Sequence, residues 1–227
     1  MTRGRCAAML PALLLVTLSP APAKSLSPED VAGIRTISVR NTGNPSHYRF
    51  FVGNWIVAAG APILGAAGGV LVGLDAAASD RGTALDEALA TQHLMLGDEM
   101  VGAAEAALKD DGYDVAKTGD VADATLVFDI QDVGYVRRVY GLIGPRLIVQ
   151  AMLTNNQTGK AVYSRLYWYD MHAVGIGKKV LDPDEKYGFE NPSDVLTHPE
   201  TVAAGLRAMI PLMIGDLASA LKRPTAP

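Results

Sequence analysis

The chain has 227 residues, of which 49% are hydrophobic and 6% are aromatic, and its formal net charge is −4. A mildly acidic chain without runs of Lys or Arg lacks the electrostatic footprint of a nucleic-acid-binding protein. The low aromatic content also disfavours a stacking platform for single strands. The apolar fraction is ample for a hydrophobic core.

Residues 1–23 have the pattern of a cleavable secretory signal peptide. Two arginines near the N-terminus precede an apolar stretch of about a dozen residues, Cys6 to Leu18, and Ala21-Pro22-Ala23 forms a small-x-small cleavage site. The apolar stretch is too short to span a bilayer, which takes about 20 residues. An uncleaved anchor or a buried N-terminal helix is the alternative. We therefore predict an exported protein that begins at Lys24 and carries a net charge of about −6.

The position of the single cysteine argues against lipid anchoring. Cys6 lies before the apolar stretch, whereas an acylated cysteine of a lipoprotein follows it. Removal of the signal peptide would leave the mature chain without a thiol, so we expect neither a disulfide nor a thiolate metal site.

We predict that residues 24–227 form a single α+β domain with an apolar insert at 48–82. The domain opens with a short strand near 34–39, where apolar and polar residues alternate, and the turn cluster at 41–45 ends it.

The insert is the most unusual segment of the sequence. From Phe50 to Leu74 it carries no charged residue, and aromatic residues such as Trp55 crowd its start. Gly65, Gly69 and Gly73 recur every fourth residue, which on a helix places them on one face and permits close helix packing. Two interpretations remain open: helices that pack on the domain, or a glycine zipper for membrane association or self-association.

The rest of the chain alternates helix and strand signals. A long helix is predicted from Thr83 to about Asp111, and strands are predicted at 113–115, 124–140, 146–154 and 161–170. Residues 141–145 form a flexible tip and residues 171–191 an irregular loop. A closing helix is predicted to start near Thr197, to kink at Pro211 and to run to about Leu221.

These elements predict an antiparallel or mixed sheet of four to five strands with two helices packed on one face. On β-strand 161–170, Tyr163, Tyr167 and Tyr169 form an aromatic run with Trp168. Cross-strand packing explains such a run, and a partner-binding face is the alternative.

The element order resembles small α+β domains of Gram-negative envelope proteins. The resemblance lies in a helix ending "ALKDDGYDV", a strand opening "ADATLVFDI", the hairpin "RLIVQAMLTNNQTGKAVYSRLYWYD" and a closing helix. The similar families are the N-terminal domain of the Tol–Pal protein TolB, the periplasmic domain of the curli secretion channel, and the penicillin-binding-protein activator lipoproteins. The resemblance implies a domain that binds partners or assembles, and it carries over no functional residues.

No recognisable catalytic constellation is present. The histidines His47, His93, His172 and His198 show no metal-binding spacing, and the acidic cluster at 182–185 lacks the glycine and distant glutamate of a calcium loop. Neither a G-x-S-x-G elbow nor a P-loop occurs. We therefore predict no catalytic, cofactor or metal site.

The sequence favours a non-enzymatic periplasmic or outer-membrane-associated protein that binds or assembles with envelope partners, itself included. The alternatives are a membrane-inserting oligomer, such as a channel or transport accessory, that uses the helix of Gly65, Gly69 and Gly73, and a hydrolase with an unrecognised site.

Overall fold

A computed structural model of the chain describes residues 33–52, 82–117, 119–137, 141–171 and 179–222. The predicted signal peptide, His172, and the insert residues Trp55, Gly65, Gly69 and Gly73 lie outside the described residues. The glycine zipper therefore stays a prediction.

The centre of the fold is a mixed seven-stranded sheet, so the α+β class is confirmed and the strand number exceeds the four to five predicted. Its spatial order is β3-β1-β4-β5-β6-β7, and β2 also pairs with β4. Only the β4–β5 and β5–β6 pairs are antiparallel. The strands are β1 Thr36–Asn41, β2 Arg49–Val52, β3 Asp114–Ala116, β4 Ala124–Arg137, β5 Gly144–Asn155, β6 Ala161–Asp170 and β7 Lys179–Leu181.

On one side of the long strand β4, two shorter strands pair with different parts of its length. Its first half pairs with β1, up to Asn41 opposite Phe128, and its last residues pair with β2, from Arg49 opposite Gly134. A β-bulge lies between Ile130 and Asp132. Among the described residues, no strand adjoins β4 on this side between its two partners, so the sheet has a gap there.

The helices of the described part are α1 at 82–89, α2 Leu96–Asp110, α3 Pro192–Thr197, α4 Pro199–Arg207 and α5 Met209–Leu221. The single long helix predicted from Thr83 to Asp111 is wrong, because α1 ends in a 3-10 turn, Ala90–Gln92. His93 then adopts a left-handed conformation with φ of 46°, which ends the helical path.

The start of α2 is capped by a residue from the β1–β2 loop. The Asn44 side-chain oxygen accepts hydrogen bonds from the backbone N–H of Gly97 at 2.8 Å and of Asp98 at 3.3 Å. Asn44 and Asn41 also donate to the Asp98 carboxylate, and these bonds hold the pKa of that carboxyl below its usual value. The cap joins the loop to the helix N-terminus, where orphan N–H groups need acceptors.

Replacing this cap should weaken the domain. We expect Asn44→Ala to lower the free energy of unfolding by about 1 kcal/mol, since the orphan N–H groups of α2 lose their acceptor. Urea unfolding followed by circular dichroism measures the change. Ser46→Ala, in the same loop at an exposed position, is the control. An equal loss in both variants would contradict the capping role.

The closing helix is divided, as its internal proline predicts. α4 ends at Arg207, and α5 begins at Met209, two residues before Pro211. The stretch Pro199–Leu221 is long and apolar enough to cross a membrane by length and composition alone, and half of its most apolar window is buried inside the fold. Val202, Leu206 and Met213 are fully buried, so one side of this helix pair belongs to the core.

The core lies between the helices and one face of the sheet. Contacts between helix and strand side chains identify this inner face: the Tyr135 hydroxyl lies 3.4 Å from the Val202 carbonyl oxygen on α4, and Arg165 pairs with Asp216 on α5. The inner face also carries Leu126, Phe128, Leu147, Val149, Ala151 and Leu153, all almost fully buried.

Candidate functional site

The aromatic run on β6 divides between the two faces of the sheet. Tyr163, Tyr167 and Tyr169 are 1%, 0% and 1% exposed and point into the core, because alternate residues of a strand share a face. The prediction that these three tyrosines form a partner-binding face is therefore corrected, because their side chains are buried in the core. Trp168 points to the opposite, outer face, where it is only half-buried.

Two of the buried tyrosines, Tyr163 and Tyr167, belong to a hydrogen-bonded and charged network. The hydroxyls of Tyr163 and Tyr167 lie 2.6 Å apart, and Tyr167 donates to the Asp216 carboxylate at 3.0 Å. Arg165 and Lys179 contact the same carboxylate at 2.6 and 3.2 Å. Burial raises the pKa of both phenols above the ordinary tyrosine value, so they remain neutral donors. The network joins β6 and β7 to α5.

The outer face of the sheet carries an apolar centre. Pairing across β4, β5 and β6 aligns Val127 with Met152 and aligns Ile148 with Trp168. Met152 is 39% exposed, whereas Ile148 is buried between its longer neighbours. The helix contacts described above all fall on the inner face. Apolar side chains at the centre of a face that no described helix is seen to contact are typical of a contact surface.

An ion-pair cluster borders this apolar centre. Arg146 donates to Asp132 at 2.7 Å and to Asp170 at 3.2 Å, and its guanidinium lies 5.6 Å from the Trp168 ring centroid. Asp170 is 1% exposed. Because Arg146 neutralises two carboxylates, and Arg49 approaches Asp132 at 3.4 Å, the cluster is balanced in charge. It orders the outer face without offering a free nucleophile or base.

A cleft of about 680 Å³ opens at the gap between β1 and β2. The β1–β2 loop, α1 and the bulge of β4 line it, and four of its charged or titratable side chains form two pairs, His47 with Asp86 and Arg49 with Asp132. His47 lies 3.0 Å from Asp86, which also accepts the Tyr48 backbone N–H at 2.6 Å. The His47 side chain is 86% exposed. The cleft thus adjoins the ion-pair cluster through Arg49 and Asp132, which are among its lining residues.

The other histidines and acidic residues are dispersed. His93 ends the 3-10 turn after α1, and His198 lies exposed between α3 and α4. Asp123 accepts the backbone N–H groups of Arg35 and Thr36 at 2.9 Å, which lower the pKa of its carboxyl. Within the described ranges, no group of three or more His, Cys, Asp or Glu side chains is arranged to hold a metal ion.

The sequence analysis singled out β6 but did not show which of its side chains are buried. Alternation alone separates Tyr163, Tyr167 and Tyr169 from Trp168, but it does not say which set is buried. The ion partners of Arg146 lie on two neighbouring strands, so no local pattern reveals them. The outer apolar centre was missed for the same reason.

Comparisons with known proteins give no close relative. No protein-family model and no curated protein matches the chain. A Xanthomonas campestris protein of the DUF330 family matches at 10% identity and a TM-score of 0.41, covering 89% of this chain and 90% of that one. A PelC dodecamer from Paraburkholderia phytofirmans matches at 14% identity and a TM-score of 0.36, covering 89% and 93%. A minor lipoprotein from Acinetobacter baumannii matches at 7% identity and a TM-score of 0.26, covering 56% and 87%.

Proposed function

We propose that the chain is a non-enzymatic, exported protein of the cell envelope that binds or assembles with envelope partners. The observation that carries the proposal is the outer face of the sheet, which carries Val127, Met152 and Trp168 and lies opposite the face that the described helices contact. The signal-peptide pattern of residues 1–23 supports export to the periplasm. The proposal includes association of the exported protein with the outer membrane.

The pairing of charged groups supports a binding role over a catalytic one. Catalytic acids and bases need accessible groups with tuned pKa values, in a cleft that admits substrate. In the described part of the chain, the buried Asp170 and the partly exposed Arg146 and Asp216 each have ion-pair partners, whereas one carboxylate oxygen of Asp111 is buried without a hydrogen-bond partner. A partner protein would instead contact the apolar centre and the surrounding polar rim, which is the usual anatomy of a protein interface.

A charged residue on the outer face should abolish partner binding. We expect Met152→Arg to lose the proteins that co-purify with the tagged wild-type chain from detergent-solubilised envelopes, because the arginine would have to be desolvated in the contact. Met152 is 39% exposed, so the fold should accept the change. Quantitative mass spectrometry of the captured proteins measures the loss.

The matched control carries the same charge elsewhere on the surface. Val121→Arg lies in the loop before β4, where the side chain is 96% exposed. This variant should capture the same partners as the wild type. Unchanged capture by Met152→Arg, or equal loss in both variants, would contradict a partner surface on the outer face.

The position of the insert's ends bears on the membrane-inserting alternative. Residues 53–81 number 29, and they connect Val52 of β2 to Gly82 of α1. A Cβ placed on Gly82 would lie 3.2 Å from the Tyr48 carbonyl oxygen, so both ends belong to one folded body. A single crossing would separate the ends, and two crossings need about 40 residues. These ends therefore give no support to the membrane-inserting alternative, which stays a prediction.

A further inference from the structure

The gap in the sheet leaves part of the β4 edge without a strand partner. β1 pairs with β4 as far as Phe128 and β2 begins to pair at Gly134, so in the described part of the chain residues 129–133 lie between the two. The Thr42 N–H donates to the Phe128 carbonyl oxygen at 3.0 Å, which places the backbone groups of Phe128 on this side. Alternate residues of a strand direct their backbone groups to the same edge, so those of Ile130 face the gap.

The gap opens into the cleft of about 680 Å³, which residues 130–133 of β4 line. This volume lies within the range of about 300–1,000 Å³ that small-ligand sites occupy. An unpaired strand edge is a template for pairing with another chain. A peptide of four residues is about 13 Å long when extended, so it fits along a stretch of this length. The cleft therefore combines backbone donors and acceptors with space for an extended peptide.

The charges at the cleft favour a peptide that carries a carboxylate. In both of its ion pairs the basic side chain is the outer member. The His47 side chain is 86% exposed, whereas that of its partner Asp86 is 25% exposed. The Arg49 side chain is 61% exposed, whereas that of Asp132 is 13% exposed. A ligand that enters from solvent therefore meets the two basic side chains before the two carboxylates.

Arg49 can turn to a ligand without leaving a buried carboxylate unpaired. Its Nε lies 3.4 Å from one carboxylate oxygen of Asp132, whereas the Nε of Arg146 lies 2.7 Å from the other. Arg146 therefore remains with Asp132 when Arg49 moves. A guanidinium group donates several N–H groups in a fixed fork, which suits a carboxylate acceptor. We expect Arg49 to select acidic peptides for this reason.

We propose that the cleft binds an extended peptide with acidic side chains, which adds to the β4 edge as a short strand between β1 and β2. Hydrogen bonds between the two main chains supply the affinity, and Arg49 supplies the preference for a carboxylate, as in other cases of β-strand addition. The site uses none of the outer-face residues Val127, Met152 and Trp168, so it and the function proposed above hold or fail separately.

Fluorescence anisotropy with a labelled tetrapeptide tests the site. The peptide alternates valine and glutamate, carries fluorescein at its N-terminus and is amidated at its C-terminus. We expect the wild-type protein to bind it saturably, and at least tenfold more tightly than the same peptide with lysine in place of glutamate. N-methylation of the peptide's backbone amides should abolish binding, because these amides no longer donate to β4. Failure of the glutamate peptide to bind, or equal affinity for all three peptides, would overturn the proposal.

A matched pair of arginine substitutions links binding to this cleft. Arg49→Gln should weaken binding of the glutamate peptide at least fivefold and should remove the preference over the lysine peptide. Arg40→Gln is the control, because Arg40 is an exposed arginine of β1 that does not line the cleft. The control should bind as the wild type does, and urea unfolding checks that both variants are folded. Unchanged binding by Arg49→Gln, or an equal loss in both variants, would contradict the role of Arg49.

Hydrogen exchange locates the bound peptide on the sheet. A saturating concentration of the glutamate peptide should slow exchange of the amides at 130–133 at least tenfold and leave those of β6 unchanged. Met152→Arg, on the outer face, should show the same protection as the wild type. Binding without protection at 130–133, or loss of binding in Met152→Arg, would show that the peptide does not add to the β4 edge.

Discussion

Gly134→Ala is expected to lower the free energy of unfolding by about 3 kcal/mol, among the largest losses for any single methyl group added to this domain. A Cβ on Gly134 would clash with the Arg49 carbonyl group, and the residue has φ of 158°. The clash is with backbone, which has no alternative rotamer, so β2 must move away from β4. Urea unfolding measures the loss, and hydrogen exchange of the β2 amides should accelerate.

The control for this substitution is another glycine with free space. Gly102 lies on the exposed side of α2, so Gly102→Ala should stabilise the protein by about 0.5–1 kcal/mol through helix propensity and reduced unfolded-state entropy. A Gly134→Ala variant as stable as the wild type, with unchanged β2 exchange, would show that β2 does not depend on this close approach.

Asp216→Asn should cost about 2 kcal/mol at neutral pH, because charge-assisted hydrogen bonds from Arg165 and Tyr167 lose their carboxylate acceptor. Partial burial alone would raise the pKa of Asp216, but hydrogen bonds from Arg165, Tyr167 and Lys179 outweigh it, and the pKa lies below its usual value. The stabilisation is therefore complete above the unfolded-state pKa, about 3.9, and is lost as the pH falls through the lower folded-state value.

The difference between wild type and Asp216→Asn should consequently shrink as the pH falls below about 4. Urea unfolding at a series of pH values measures that difference directly. Asp120→Asn, at an exposed turn position, serves as the control and should track the wild type throughout. A gap that stays constant from pH 7 into the acid range would mean that the carboxylate charge is not what stabilises the network.

Local patterns in the sequence predicted the parts of the fold that depend on near neighbours. The strands β4, β5 and β6 emerged from alternation, and β6 was predicted with its observed bounds, Ala161–Asp170. The closing helix broke near Pro211 as expected. These features depend on residues a few positions apart, where side-chain periodicity is informative.

Elements that depend on distant partners were missed. β2 was merged into the apolar insert, because Phe50 and Phe51 continue an uncharged run and only pairing with β4 defines the strand. β7 has three residues, which are too few to show an alternation of apolar and polar side chains. The break after α1 arises from His93, which is left-handed, and from Asn44, which caps the start of α2 from a loop more than 50 residues earlier in the chain.

The candidate site follows the same division. The sequence analysis singled out β6 but treated its tyrosines and Trp168 as one aromatic run. Which face is buried depends on packing against α5, where the Asp216 carboxylate accepts a hydrogen bond from the Tyr167 hydroxyl. The outer-face cluster of Arg146, Asp132 and Asp170 is set by strand register, which a single sequence does not specify.

The parallel pairing of β1 with β4 has a consequence for how the chain acquires its structure. Ile37 lies opposite Ala124, and β1's other neighbour, β3, begins only at Asp114. A chain that emerges N-terminus first, from a ribosome or a translocation pore, therefore exposes its opening strand long before either partner is available. Contacts of such sequence separation slow folding. In the described part of the first hundred residues, β1 and β2 both pair only with strands that follow residue 113, a property that keeps this part of the polypeptide threadable through a narrow channel until those strands have passed.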